Sequence, residues 1–395
     1  MPRLPQQFHI SFRLSTYYAA SFLIVGIKAP FWPVWLAGRG LDARQVATVL
    51  AASIWAGVVA TPALGAFADR FDFRRGMMIG LCLVTIVGYA SLWHAYALSL
   101  LLGLTLVAAA AQTALMPLGD SITLAAVRRD GIDYGRVRVW GSVSFILAAV
   151  VSGVVLSHGA FARSGGNTIL ALVLIASTIL LAACVAIPTT PPEATKRFRG
   201  VELRSLARDK RFWQFVAVAA TLQASHQVYY GFGTLYWRSL GFSDGVIGVL
   251  WAEGVVAEIA LFWQGSQLLM RFGPLGLMIL GGGAGVVRWA LMGIVPGLLA
   301  AVMLQLLHAL TFGATHLGAM NYLSRTVPPG AAASAQALYS GASSGIGSGL
   351  VMLGAGSLYA AYGAGAYLAM ATLSAIGLIG AVHLARSAPQ RPHFL

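Results

Sequence analysis

The chain has 395 residues, 58 % of them hydrophobic and only 10 % charged, with a formal net charge of +14. A water-soluble domain carries about 25 % charged residues, so this composition excludes a soluble globular protein and makes lipid the solvent. The two cysteines, Cys82 and Cys184, lie inside apolar runs and suggest neither a disulfide framework nor a zinc site.

Taken in chain order, apolar segments of about 20 residues, each able to cross about 30 Å of hydrocarbon, are expected at 12–37, 44–68, 76–94, 98–127, 137–157, 167–187, 212–237, 244–270, 274–294, 297–322, 332–358 and 364–385. The first is too long for a signal-peptide core and lacks a small-residue cleavage site, so no cleavable leader is expected. One long polar gap, "PTTPPEATKRFRGVELRSLARDKR" (188–211), falls in the middle. The expected fold is therefore an all-α membrane protein of twelve transmembrane helices. They form two six-helix bundles, 1–187 and 212–395, joined by a cytoplasmic linker at 188–211.

Basic residues orient this arrangement. With a cytoplasmic N-terminus, the inner side receives most of the arginines, including Arg70, Arg74, Arg75, Arg128, Arg129 and those of the linker. The outer side keeps only Arg39, Arg44, Arg163 and Arg238. This is the positive-inside bias, and it puts both termini in the cytoplasm. The positive net charge reflects membrane orientation rather than nucleic-acid binding.

The halves resemble each other. "GLDARQVATVL" from Gly40 lines up with "GFSDGVIGVL" from Gly241, and Gly65 with Gly265, as expected of parallel repeats in a duplicated transporter. "SGASSGIGSG" (340–349) imitates a dinucleotide-binding turn, but no strand pattern precedes it and no Asp or Glu occurs after Glu258. Gly341, Gly345 and Gly349 instead have small-xxx-small spacing, which lets a neighbouring helix come close.

"GAFADRFDFRR" (65–75) resembles the signature of the major facilitator superfamily, with Asp72 in place of the usual second glycine. The resemblance implies a cytoplasmic gating loop between the second and third helices, with Gly65, Asp69, Arg70 and Arg74 as its functional residues. "PFWPVWL" (30–36), "DYGRVRVWGS" (133–142), "HQVYYGFGTLYW" (226–237), "LWAEGVVAEIALFW" (250–263), "GVVRW" (285–289) and "LLHALTFGATHLGAMNY" (306–322) resemble the phenylpropionate-permease group of that superfamily, which is related to lactose permease. Membership implies a bacterial inner membrane, a monomer, a small-molecule substrate taken with a proton, and no cofactor or metal.

Ionisable groups within lipid-embedded helices usually face a partner or a water-filled path. Here they are Lys28, Asp120, Arg138, Glu253, Glu258 and Arg288, three of each sign. His226, His308 and His316 add groups that titrate near physiological pH. Asp120 and Arg138 lie 18 residues apart across the turn joining the fourth and fifth helices, so their positions come close. By resemblance to lactose permease they are substrate contacts; a structural salt bridge is the alternative.

Glu253 and Glu258 are about 140° apart around a helix and cannot point the same way. By the same resemblance Glu253, Arg288 and His308 match functional positions, but Thr311 stands where lactose permease has its proton-carrying glutamate. The proton is then expected on Glu258, which would load it with Arg288 distant and release it as Arg288 approaches. A static Glu258–Arg288 bridge is the alternative. His308 and His316 are expected about 80° apart, able to line one cavity.

On the seventh helix His226, Tyr229, Tyr230, Gly233 and Trp237 form one stripe, and on the first Lys28 and Trp32 are one turn apart. An ammonium beside an indole suits an aromatic carboxylate, although such stripes also serve packing or face lipid. The expected function is proton symport of a small aromatic carboxylic acid by alternating access. A proton-coupled sugar or nucleoside permease and an efflux antiporter remain as alternatives. A membrane enzyme would need convergent catalytic groups that the sequence does not present.

Overall fold

A computed structural model describes residues 3–71, 73–158, 167–188, 206, 208–327 and 331–387, and among these the regular structure is helical throughout. In hydrocarbon every backbone polar group must be satisfied within the segment, and apolar runs of this length achieve that as helices. The first half gives α1 (Arg3–Gly38), α2 (Ala43–Phe71), α3 (Arg74–Ser91), α4 (Leu98–Asp130), α5 (Tyr134–Ser157) and α6 (Asn167–Ala186).

The second half begins with α7 (Lys210–Ala224), α8 (Gln227–Ser239), α9 (Asp244–Trp263) and α10 (Gly265–Ile294). Then come α11 (Leu298–Leu306), a π turn (Ala309–Ala314) and α12 (Thr315–Thr326). Last are α13 (Ala332–Ser340), a second π turn (Gly341–Gly347), α14 (Ser348–Tyr362) and α15 (Ala366–Arg386). Among the described residues ten helical stretches are long and apolar enough to cross a membrane. The last, Ala335–Arg386, counts as one stretch although a turn at Gly363, with φ +54°, divides it.

Local chemistry sets the ends of the elements. Gly131 closes α4 at φ +68°, a left-handed conformation that glycine adopts without steric cost. Asp133 then opens α5 by accepting from the Arg136 backbone N–H, and Asp209 opens α7 by accepting from those of Arg211 and Phe212.

The described residues gather into two units, Met1–Lys196 with Tyr230–Ala252, and Arg197–Tyr229 with Glu253–Leu395. In the first, α1 packs on α5 and α6, α2 on α4, and α3 on α4 and α6. Small residues make the closest crossings. A Cβ at Gly153 would stand 2.3 Å from the Asp244 carbonyl oxygen, and one at Gly248 would stand 2.4 Å from that of Ala149.

In the second unit α7 packs on the Gly341–Gly347 turn and on α15, and α10 packs on α12 and α15. Phe215 stacks on Tyr322 and Tyr339 at its centre. Two sets of partners repeat those of the first unit, α7 standing as α1 does and α10 as α3 does. The aligned glycines also agree: Gly40 (φ +86°) and Gly241 (φ +82°) both donate back to the carbonyl three residues earlier, each just ahead of the helix that follows.

Three expectations change. The seventh apolar segment is two helices, α7 and α8, broken at Ser225–His226, so the expected aromatic stripe is not carried by one continuous helix. The facilitator signature lies largely on helix, since α2 continues through Phe71 and α3 begins at Arg74. The glycine-rich stretch is a π turn between two helices rather than a regular α-helical face.

Candidate functional site

The second unit holds a buried polar cluster around Arg288, which is fully buried on α10. Its Nη1 donates to Thr311 Oγ1 at 2.9 Å and to His308 Nδ1 at 3.1 Å, and its Nη2 donates to Gln305 Oε1 at 2.6 Å. Gln305 passes the contact on, donating to the Tyr229 hydroxyl at 2.9 Å. The guanidinium lies over the rings of Trp289 and Tyr229, 4.5 and 5.0 Å from their centroids. Charge-assisted bonds and cation–π contact together replace the lost water around a buried cation.

Hydrogen-bond direction fixes the tautomers. Because Arg288 donates to His308 Nδ1, the proton of a neutral His308 ring sits on Nε2, which is 3.8 Å from Glu258 Oε2. Glu258 is thus next to the histidine that touches the arginine. Its stem also lies against Gly313 of the π turn, and Gly254, one turn before Glu258, abuts the His308 ring. His308, Phe312 and His316 stack as a column, with centroids 5.4 and 5.9 Å apart and planes within 6°. The π turn produces this column, because its i→i+5 bonds put more residues in each turn and so reduce the 80° offset expected of a regular helix. Glu253 is half-buried on α9 and makes no hydrogen bond or ion pair among the described residues.

In the first unit Lys28 is the centre. Its ammonium donates to the Tyr89 hydroxyl and, at 3.0 Å, to Gln112 Oε1, to which Tyr89 also donates at 2.6 Å. It lies 5.2 Å from the Trp32 centroid and 4.8 Å from that of Tyr89, and Trp32 is backed by Trp35, stacked at 4.6 Å. Among the described residues Lys28 meets no carboxylate. It is a half-buried cation with neutral and aromatic neighbours.

Asp120 and Arg138 come together on one tyrosine and form no ion pair among the described residues. Tyr18 donates to Asp120 Oδ1, Tyr134 donates to the same oxygen at 3.3 Å, and the Arg138 guanidinium lies 5.3 Å from the Tyr18 centroid and 4.2 Å from that of Phe22. On α8, Tyr229 turns to the Arg288 cluster while Tyr230 stacks on Trp251 and Trp237 is buried. His226 sits at the helix break, bonded through Nε2 to Thr311.

Of the signature residues, Gly65 has open space where a Cβ would be, Arg70 is exposed and Arg74 half-buried. The side chain of Asp69 and the whole of Asp72 lie outside the described residues. Tyr89, Gln112 and Gln305 were not singled out from sequence, and Thr311 was noted only as standing where lactose permease has a glutamate. Two glutamines in otherwise apolar helices are the signal that could have found two of them, since an amide in hydrocarbon requires a partner.

Buried polar clusters inside long apolar helices, gathered in two helical units, are what a polytopic transporter of the major facilitator class presents. The chain matches the MFS_1-like family over residues 11–369 and belongs to it. It is 29 % identical over 363 residues to the probable 3-phenylpropionic acid transporter of Escherichia coli (strain K12), a match covering 90 % of this chain and 93 % of that protein. It is 27 % identical over 380 residues to the maltose permease of Geobacillus stearothermophilus, covering 94 % and 93 %. The nucleoside transporter NupG has the same fold, with a TM-score of 0.84 at 18 % identity over 96 % of this chain and 100 % of that one. The protein is a multi-pass membrane transporter of small molecules rather than an enzyme.

Proposed function

We propose that the protein is a proton-coupled symporter that takes a small aromatic carboxylic acid, of the phenylpropionate kind, across a bacterial inner membrane by alternating access. The observation that carries this reading is Lys28, an ammonium without a carboxylate partner among the described residues, set on the faces of Trp32 and Tyr89. A cation within a membrane-spanning helix is expensive, and a substrate carboxylate would offset its charge while the substrate's ring stacks on the indole. Similarity to a probable 3-phenylpropionic acid transporter over nearly the full length supports the same substrate class.

Within this reading twelve crossings form bundles 1–187 and 212–395, with 188–211 as the cytoplasmic linker and both termini inside, and the protein acts as a monomer. Asp120, Arg138, His226, Tyr229, Tyr230 and Trp237 complete the substrate contacts. Glu258 carries the proton beside His308 and Arg288, with Glu253 and His316 as further coupling groups. Gly65, Asp69, Arg70 and Arg74 serve the cytoplasmic gate.

A hydroxyl-rich substrate is the second reading. It is favoured by the Tyr18 and Tyr134 hydroxyls gathered on Asp120 and by the similarity to maltose permease. Uptake into proteoliposomes of radiolabelled 3-phenylpropionate, maltose and uridine separates the two. We expect 3-phenylpropionate alone to accumulate under an inward proton gradient, Lys28→Gln to raise its KM at least tenfold, and Glu258→Gln to abolish accumulation while sparing exchange. One proton with one monovalent anion carries no net charge, so a membrane potential, worth about 2.3 kcal/mol per charge per 100 mV, should leave uptake unchanged. Accumulation of maltose or uridine with Lys28→Gln unaffected would reverse the substrate assignment.

A further inference from the structure

The helix that carries His308 leaves regular geometry directly after it. In the π turn Ala309–Ala314, the N–H groups of Leu310 and Thr311 both donate to the Leu307 carbonyl, at 3.0 and 2.9 Å. Such turns are uncommon and concentrate at functional sites. α10 is shaped to receive this one: a Cβ at Gly281 would stand 2.1 Å from Thr315 Oγ1 and 2.9 Å from the Leu310 carbonyl oxygen. The turn determines where Thr311, a buried residue, presents its hydroxyl.

That hydroxyl has three partners, Arg288, His226 and the His308 carbonyl. Arg288 Nη1 can only donate, so Thr311 Oγ1 accepts from it at 2.9 Å. His226 Nδ1 is 3.2 Å from the Gln223 carbonyl, which can only accept, so the proton of a neutral His226 is on Nδ1 and its Nε2 is bare. Two acceptors face the Thr311 proton, His226 Nε2 at 3.2 Å and the His308 carbonyl at 3.5 Å, and the shorter contact is to His226. The bonds run in one direction, from Arg288 through Thr311 and His226 to the helix break. The same Nη1 is shared with His308, whose far side faces Glu258.

We propose that Thr311 is a positioning residue for proton coupling: its hydroxyl, aimed by the π turn, draws the Arg288 guanidinium toward His226 and so sets how strongly that cation acts on Glu258. This rests on the reading of Glu258 as the proton carrier. The titratable and charged groups around the cluster are Glu253 and Glu258 on α9, His308 and His316 beside the turn, His226 at the break, Tyr229 on α8 and Arg288 itself. Removing the Thr311 acceptor releases Nη1 from the His226 side, and an arginine closer to a carboxylate favours its ionised form.

The test needs no substrate. Purified protein in lipid is titrated by infrared difference spectroscopy, and the protonated-carboxyl band of Glu258 is assigned by its loss in Glu258→Gln. We expect its midpoint to fall by about one pH unit, a tenfold change in proton affinity, in Thr311→Val, and to stay at the wild-type value in Thr311→Ser. Thr311→Ala takes the place of valine if the branched side chain disturbs folding. Equal midpoints in all variants, or a serine variant that shifts as valine does, would overturn the role of the hydroxyl. If Glu258→Gln removes no band, the coupling reading falls and the Thr311 proposal with it.

Discussion

Gln305 holds the second unit's polar cluster together, and replacing it with methionine tests that directly. Methionine keeps the length of the side chain but removes the acceptor that takes the 2.6 Å bond from Arg288 and the donor that makes the 2.9 Å bond to Tyr229. Arg288 cannot shed its charge, so a fully buried guanidinium is left short of one acceptor. Interhelical hydrogen bonds in membranes average about 0.6 kcal/mol and reach about 1.7, because the unfolded chain in lipid also finds partners. Taking the upper value for the charge-assisted bond and the average for the tyrosine bond gives a loss of about 2.3 kcal/mol. That is roughly a 45-fold fall in the folding constant. Equilibrium unfolding in mixed micelles, followed by circular dichroism as the detergent fraction rises, measures it. Combined with Tyr229→Phe, the double variant should lose about 0.6 kcal/mol less than the sum of the two. A Gln305→Met protein as stable as wild type would refute the claim that this amide sustains the buried arginine.

Two further outcomes follow from packing and capping. Gly153→Ala places a methyl 2.3 Å from the Asp244 carbonyl, where backbone must move, and should cost about 1–3 kcal/mol. It should also lower cross-linking between Ser157→Cys and Gly245→Cys, a pair now joined by a 2.8 Å bond from the Gly245 N–H to the Ser157 hydroxyl. Arg39 donates to the Trp93 carbonyl at 3.2 Å and to Asn167 Oδ1 at 2.9 Å while lying 5.0 Å from the Trp35 and Tyr96 centroids. Arg39→Met should therefore lower stability by about 1–2 kcal/mol, and Arg39→Lys should recover less than half, because an ammonium lacks the planar fork. Thermal unfolding in detergent checks both.

The sequence was most informative where physics leaves few choices. Long apolar runs in lipid must be helices, and the Gly40 and Gly241 turns were readable because each begins the same pattern. Charged residues inside those runs pointed to Arg288, His308 and Lys28. What residue spacing could not fix was azimuth and partner: Asp120 and Arg138 came to matching height, yet both address Tyr18 rather than each other. Neutral polar partners were missed because Tyr89 and the two glutamines carry no charge to mark them, and Thr311 was read only as a missing glutamate, not as a partner of Arg288. The π turn was also invisible, since "HALTFGATH" reads as ordinary helix and only the glycine opposite, Gly281, makes room for it. The break at Ser225–His226 was signalled only by three successive polar residues, Ser225, His226 and Gln227, without the usual proline or glycine.

That break has a consequence for biogenesis. α7 has 15 residues and α8 has 13, about 22 and 20 Å of helix at 1.5 Å per residue, and neither is among the stretches that qualify for crossing by length and apolarity. Neither helix alone spans about 30 Å of hydrocarbon, so this region gains from packing partners. α7 finds its apolar partners in α15 and in the Gly341–Gly347 turn, which leave the ribosome long after it does. Truncations that remove α15 should therefore leave α7 without its apolar partners and lower its insertion into the membrane.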